Sequence, residues 1–150
     1  MKHPTYIIDY NGTFEQLAFE LNQDYSQTLS FIEHLATDFY LQSRNDFENG
    51  RKKLSKTLAD ISRTLYIASL ENNYQNECLE VLTRDVGNMQ YDCVAKFIDA
   101  LAENLVHKAD LDLKNEEKKI ASEKYFVADY LFRARDELEK AWKICQPYMS

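Results

Sequence analysis

Proline stands at position 4 and does not return until position 147. The 142 residues between them hold no residue that removes a backbone donor and breaks a helix. Glycine, the other common breaker, occurs only at Gly12, Gly50 and Gly87. Each falls where a periodic apolar pattern starts or resets, as expected of a few long helices joined by short turns.

The pattern divides the chain accordingly. Residues 5 to 12 read as a short extended arm closed by the turn signal Asn11-Gly12. Thr13 is an N-cap candidate with Gln16 three residues on, the spacing of a capping box. Phe14, Leu17, Leu21, Tyr25, Thr28, Ile32, Leu35 and Phe39 then recur at threes and fours. They predict one helix over 13 to 43, about 45 Å long at 1.5 Å per residue. Residues 44 to 50 read as a loop. Leu54, Leu58, Ile61, Leu65 and Ala68 mark a helix over 51 to 72. A third stretch over 75 to 107 is interrupted at Asp85-Val86-Gly87-Asn88, and 110 to 115 reads as a loop. The final helix, 115 to 145, carries Ile120, Val127, Leu131, Leu138, Ala141 and Cys145. No segment alternates with period two long enough to predict a sheet. The expected fold is all-α: one domain over 1 to 150, an antiparallel up-down bundle of four to five helices, two of them long, with an N-terminal arm. The length of the first and last helices also allows them to pair with a second copy.

Apolar content of 45% and charged content of 29% are those of a soluble globular protein rather than a disordered one. No leader-like apolar stretch follows Met1, and no run approaches the ~18 apolar residues of a membrane span. Three widely spaced cysteines, Cys78, Cys93 and Cys145, suit neither a disulfide framework nor a zinc site. A cytoplasmic setting without membrane contact is expected.

Charge is unevenly spread. The net charge is −7, yet residues 3 to 43 contain no Lys or Arg and six acids: Asp9, Glu15, Glu20, Asp24, Glu33 and Asp38. On one long helix they form a one-sign surface that steers basic partners and repels nucleic acid. Glu20 and Asp38 project together as an acidic rim. The opposite sign gathers at Arg51, Lys52, Lys53 and Lys56, with Arg63 following. Cations at a helix start oppose its dipole by some tenths of a kcal/mol. The neighbouring acidic helix is their expected internal partner.

Nineteen aromatics in 150 residues exceed what one bundle core readily absorbs. On a helical wheel Phe19 and Phe31 lie roughly 90° to 150° off the first helix's apolar stripe. Tyr125 and Phe132 lie nearly opposite the stripe of the last helix, with Phe126 and Tyr130 flanking it. The segment from Tyr125 to Phe132 is thus apolar almost all round, as for a helix covered on both sides. The arm, with Tyr6, Ile7, Ile8 and Tyr10, is one candidate cover. A partner is the other, since aromatic rings are enriched in interface cores.

Catalytic patterns are absent. Asp99, Glu103 and His107, like His34 and Asp38, repeat at four residues, but bundle metal sites use Glu-x-x-His facing inward. Asp99, Glu103 and His107 point away from Val94, Leu101 and Leu105, and His34 points away from its own stripe, so both sets read as a solvated polar face. There is no Gly-x-Ser-x-Gly, and three glycines cannot build a phosphate-cradling loop. Neither cofactor, metal nor catalytic residue is assigned. The expected activity is non-catalytic protein binding, by an adaptor or self-associating protein, with Phe19, Phe31, Tyr125 and Phe132 as anchors and Glu20 and Asp38 as rim. Two alternatives are an acidic inhibitor that mimics nucleic acid or plugs a basic groove, and a metal-dependent bundle enzyme.

Overall fold

The computed structural model describes residues 3–72 and 79–148, and Cys78 lies outside them. The described residues form six α-helices and no strand: α1 (Phe14–Leu21), α2 (Tyr25–Glu48), α3 (Lys52–Ala68), α4 (Glu80–Gly87), α5 (Tyr91–Lys114) and α6 (Lys118–Cys145), followed by a 3-10 turn, Gln146–Tyr148. The all-α bundle expected from the pattern is the observed fold.

Four long helices make the bundle, and every adjacent pair runs antiparallel. Ser43 and Ser55 bond reciprocally between α2 and α3, each hydroxyl donating to the other's carbonyl at 2.7 Å, while Ser62 Oγ donates to Ala36 O. Arg135 meets Asp99, and Lys124 meets Asp112, between α6 and α5. Phe31–Phe97 and Phe39–Tyr91 ring contacts join α2 to α5. α3 packs on α6. The α5–α6 pair is the most extensive. Both helices are rich in buried alanine, with Ala95, Ala102 and Ala109 on one and Ala121, Ala128, Ala134 and Ala141 on the other. Small side chains shorten the distance between helix axes.

α3 and α5 are diagonal and point the same way, so the chain crosses the bundle between them. α4 lies on this crossover, against α2. A Cβ on Gly87 would stand 2.2 Å from Asp38 Oδ2, so any larger residue there would push the Asp38 carboxylate aside.

The long first helix is two helices. α1 ends at Leu21 because Asn22 is tied to α5, its Nδ2 donating to Leu101 O at 3.2 Å and Asn104 Oδ1 at 2.9 Å. Thr28 Oγ1 donates to Asn22 Oδ1, and Asp24 caps α2 through Ser26 N. The capping box at Thr13 and Gln16 is present, with bonds of 3.1 and 2.8 Å.

The expected loop 44 to 50 is mostly helix. α2 runs to Glu48 and closes in a Schellman motif: Gly50 (φ 79°) donates to Phe47 O, and Arg51 N to Asp46 O. The 110 to 115 loop is likewise helical. α5 runs to Lys114 and closes in the same motif, Glu116 N donating to Leu113 O and Glu117 N to Asp112 O. Here the left-handed position is Glu116, at φ 64°. The arm is not extended. It bends, buries Ile7, donates from Tyr10 N to Ile7 O, and docks at the α4–α5 turn. Gln90 N donates to Pro4 O at 2.9 Å, and His3 Nδ1 to Asn88 O at 2.8 Å. The arm therefore meets the α4–α5 turn rather than the Tyr125–Phe132 segment.

A side chain in the left-handed region costs about 1–2 kcal/mol. Glu116→Gly is expected to raise unfolding free energy by about 1 kcal/mol, and Gly50→Ala to lower it by about as much, in urea titrations. A neutral or destabilising Glu116→Gly would contradict this account of the α5–α6 turn.

Candidate functional site

The predicted anchors separate in space. Phe31 is fully buried, its ring edge-on to Phe97 at 5.7 Å, and is a core residue rather than an anchor. The wheel misplaced it because α2 is covered by α3, α4 and α5, which widens its buried arc to Thr28, Leu29, Ser30, Phe31 and Ile32 in succession. Tyr125 is half-buried and donates to Asp110 Oδ1. That bond, with burial second, pushes its phenol pKa up. Phe132 is half-buried beneath Arg135, whose guanidinium lies 5.0 Å from the ring centroid. Phe126, expected at the edge of the stripe, faces outward instead and stacks on Tyr130 at 4.8 Å. Phe19 is 52% exposed on α1, with Lys108 Nζ 5.4 Å from its ring, and Glu20 is exposed beside it.

Asp38 is no rim residue. It is half-buried between α2 and α4 in a hydrogen-bonded chain. Tyr91 OH donates to Gln42 Oε1 at 2.9 Å, and Gln42 Nε2 donates to Asp38 Oδ2 and Gly87 O, each at 2.9 Å. Burial pushes the Asp38 carboxyl up, against the opposing pull of Gln42 and Arg84. The one-sign surface divides in the same way. Asp24 caps α2, and Glu33 accepts from Asn72 Nδ2. Asp9, Glu15 and Glu20 remain exposed. The basic cluster also departs from expectation. Arg51 pairs with Asp46 at 2.7 Å, at the far end of α2, and Arg63 with Asp60 at 3.3 Å. Lys52, Lys53 and Lys56 are exposed and have no ion pair among the described residues.

The surface that gathers the most chemistry lies where α5 is flanked by α1 on one side and α6 on the other. It is an open recess of about 440 Å³. Phe14, Ala95 and Ala100 supply its apolar surface. Glu15, Asp99, Glu103, Asp136 and Glu139 line it with five carboxylates against two cations, Lys96 and Arg135. Arg135 bridges two of the acids, at 2.5 Å to Asp99 and 2.9 Å to Asp136. The Asp99 bond raises the guanidinium pKa further and keeps it charged. Glu15, Glu103 and Glu139 make no ion pair among the described residues. A second shallow depression, lined by Tyr10, Glu15, Gln16, Phe19 and Glu20, continues the surface across α1 through Glu15.

Sequence reasoning treated Asp99 and Glu103 as plain solvated charge. Their i, i+4 spacing was visible, but the walls that enclose them depend on the break at Asn22, which lays α1 along α5. No group of three or more His, Cys, Asp or Glu among the described residues could hold a metal ion. No described helix is long and apolar enough to cross a membrane. Cys93 is buried and Cys145 half-buried, and burial pushes both thiol pKa values up.

The raised Asp38 pKa sets a pH dependence with a definite sign. The folded chain keeps this proton at pH values where the unfolded carboxyl has lost it. Stability therefore falls as pH rises from the ordinary carboxylate value through the raised one. Glu137, raised chiefly by burial between α6 and α3, adds to the same trend. Asp38→Asn keeps an acceptor for Gln42, so its urea midpoint should gain on the wild type as pH climbs through that window. Parallel pH profiles would contradict the assignment.

No family model, characterised protein or solved structure matches this chain.

Proposed function

We propose that this chain is a non-catalytic, cytoplasmic binding protein whose α1–α5–α6 recess receives a basic amphipathic segment of a protein partner. One observation carries the reading: Glu15, Glu103 and Glu139, without ion pairs among the described residues, surround an apolar surface of Phe14, Ala95 and Ala100. Carboxylates around a greasy recess suit a side chain with an aliphatic stem and a cationic head, as Lys and Arg have. Phe19 and Phe132 flank the recess through Glu15 and Arg135 and offer ring faces that already attract cations.

Each rim ion pair contributes only about 0–1 kcal/mol, so charge supplies register and association rate while the apolar contact supplies lifetime. A nucleic-acid mimic would need an unbroken negative ridge. These carboxylates line a hollow and are interleaved with Lys96 and Arg135, which favours a protein segment.

Calorimetric titration with a helical peptide carrying Lys at i and i+4 beside Leu is expected to show binding that weakens as salt rises. Glu103→Lys with Glu139→Lys should weaken it at least tenfold, about 1.4 kcal/mol. Glu48→Lys, on the exposed end of α2, should leave it unchanged. Equal losses from both changes, or no binding at low salt, would contradict the proposal. Displacement of the peptide by duplex DNA would not be expected.

A further inference from the structure

The chain itself carries a surface that complements the recess. α3 presents an outer stripe of Lys52, Lys56, Ala59, Arg63 and Tyr66, spaced at i, i+4, i+7, i+11 and i+14 along one side of the helix. Lys52, Lys53 and Lys56 are exposed and without an ion pair among the described residues, and Tyr66 is 55% exposed. The stripe thus begins in cations and ends on a ring. The cations also stand at the start of α3, where no side chain caps the helix and positive charge opposes the dipole. Asp46 answers Arg51 there, but among the described residues no acid pairs with Lys52, Lys53 or Lys56.

The recess is the complement. Lys52 and Lys56 are one helical turn apart, about 6 Å, as are Asp99 and Glu103. Asp136 and Glu139 repeat nearly the same spacing on the other wall. The two surfaces cannot meet within one molecule. α6 packs against both α3 and α5 and lies between them, and α3 is itself fixed to α2. Their meeting requires two molecules.

We infer that a second copy of this chain docks its α3 lysine ridge, Lys52, Lys53 and Lys56, into the acidic α1–α5–α6 recess around Glu103 and Glu139. The inference rests on the binding-recess reading and names its partner. α3 and α5 are diagonal in the bundle, so the two surfaces face away from each other and the contact joins copies head to tail, as a heterologous interface does. Self-association then depends on ionic strength, because the opposed charges are rim-exposed and screened within about 10 Å at 0.1 M salt.

The test is a complementary charge swap on the full chain. One variant carries Lys52→Glu, Lys53→Glu and Lys56→Glu. The other carries Glu103→Lys and Glu139→Lys. Sedimentation velocity at low salt is expected to show wild-type oligomers that dissociate as salt is added. Each variant alone is expected to be monomeric, with helical circular dichroism unchanged. Mixed one to one, the variants are expected to recover association, because each α3 ridge then meets a recess of opposite sign on the other variant. A wild type that stays monomeric at high concentration and low salt, a lysine-ridge variant that still self-associates, or a mixture that stays monomeric would overturn the inference. The cationic-peptide titration separates this failure from that of the parent reading: if the peptide binds a monomeric wild type, the recess serves a foreign partner and only the homotypic inference falls.

Discussion

Phe97 sits between two rings. Phe14 of α1 meets it edge-on at 5.9 Å, and Phe31 of α2 meets it edge-on at 5.7 Å. Such pairs contribute about 0.5–1.5 kcal/mol beyond the area they bury. The consequence here is chiefly geometric. One α5 side chain fastens α2 into the bundle and holds the short α1 alongside, and Asn22 pins the far end of α1 to the same helix. Without that attachment α5 would offer an open polar face; with it, α5 is the floor of a recess walled by α1 and α6. A helix of eight residues has little stability of its own, so the wall stands because of its packing.

The charge distribution acquires meaning only once these walls are in place. Along the sequence, the acids before Arg44 look like one uniform surface. In the fold they divide into groups that hold the molecule together, such as Asp24, Glu33 and Asp38, and groups that face outward, such as Glu15 and Glu20. Glu15 then joins Glu103 and Glu139, acids that lie far away in sequence. The lysines opening α3 undergo the converse separation: their arginine neighbours find local partners, and the lysines are left facing solvent. Opposite charges are thus held on surfaces that α6 keeps apart.

What was legible in the sequence followed from local rules. The near absence of proline and glycine, the apolar periodicity, the Thr13–Gln16 capping box and the interruption at Gly87 are short-range signals, and each corresponds to a feature of the fold. What was illegible depended on partners distant in the chain. The break at Asn22 is stabilised by Leu101 and Asn104, and the extension of α2 to Glu48 by Ser55 and Arg51. The end of α5 was missed for a different reason: Glu116 occupies a left-handed position that sequence patterns reserve for glycine. A single-stripe wheel likewise presumes one covered side, and it fails for Phe31 because α2 is covered on three. Phe19, on a helix packed mainly against α5, stayed where the wheel put it.

The most direct measurement of where this protein binds is a map of amide chemical-shift changes as a cationic amphipathic helix is titrated into the labelled chain. The account places the largest changes at Glu15, Ala95, Asp99, Ala100, Glu103, Asp136 and Glu139. The competing surface is the outer side of α2, where Tyr40, Leu41 and Phe47 are 51%, 57% and 60% exposed. Changes confined to those three residues and their neighbours, with the α1–α5–α6 recess silent, would contradict it.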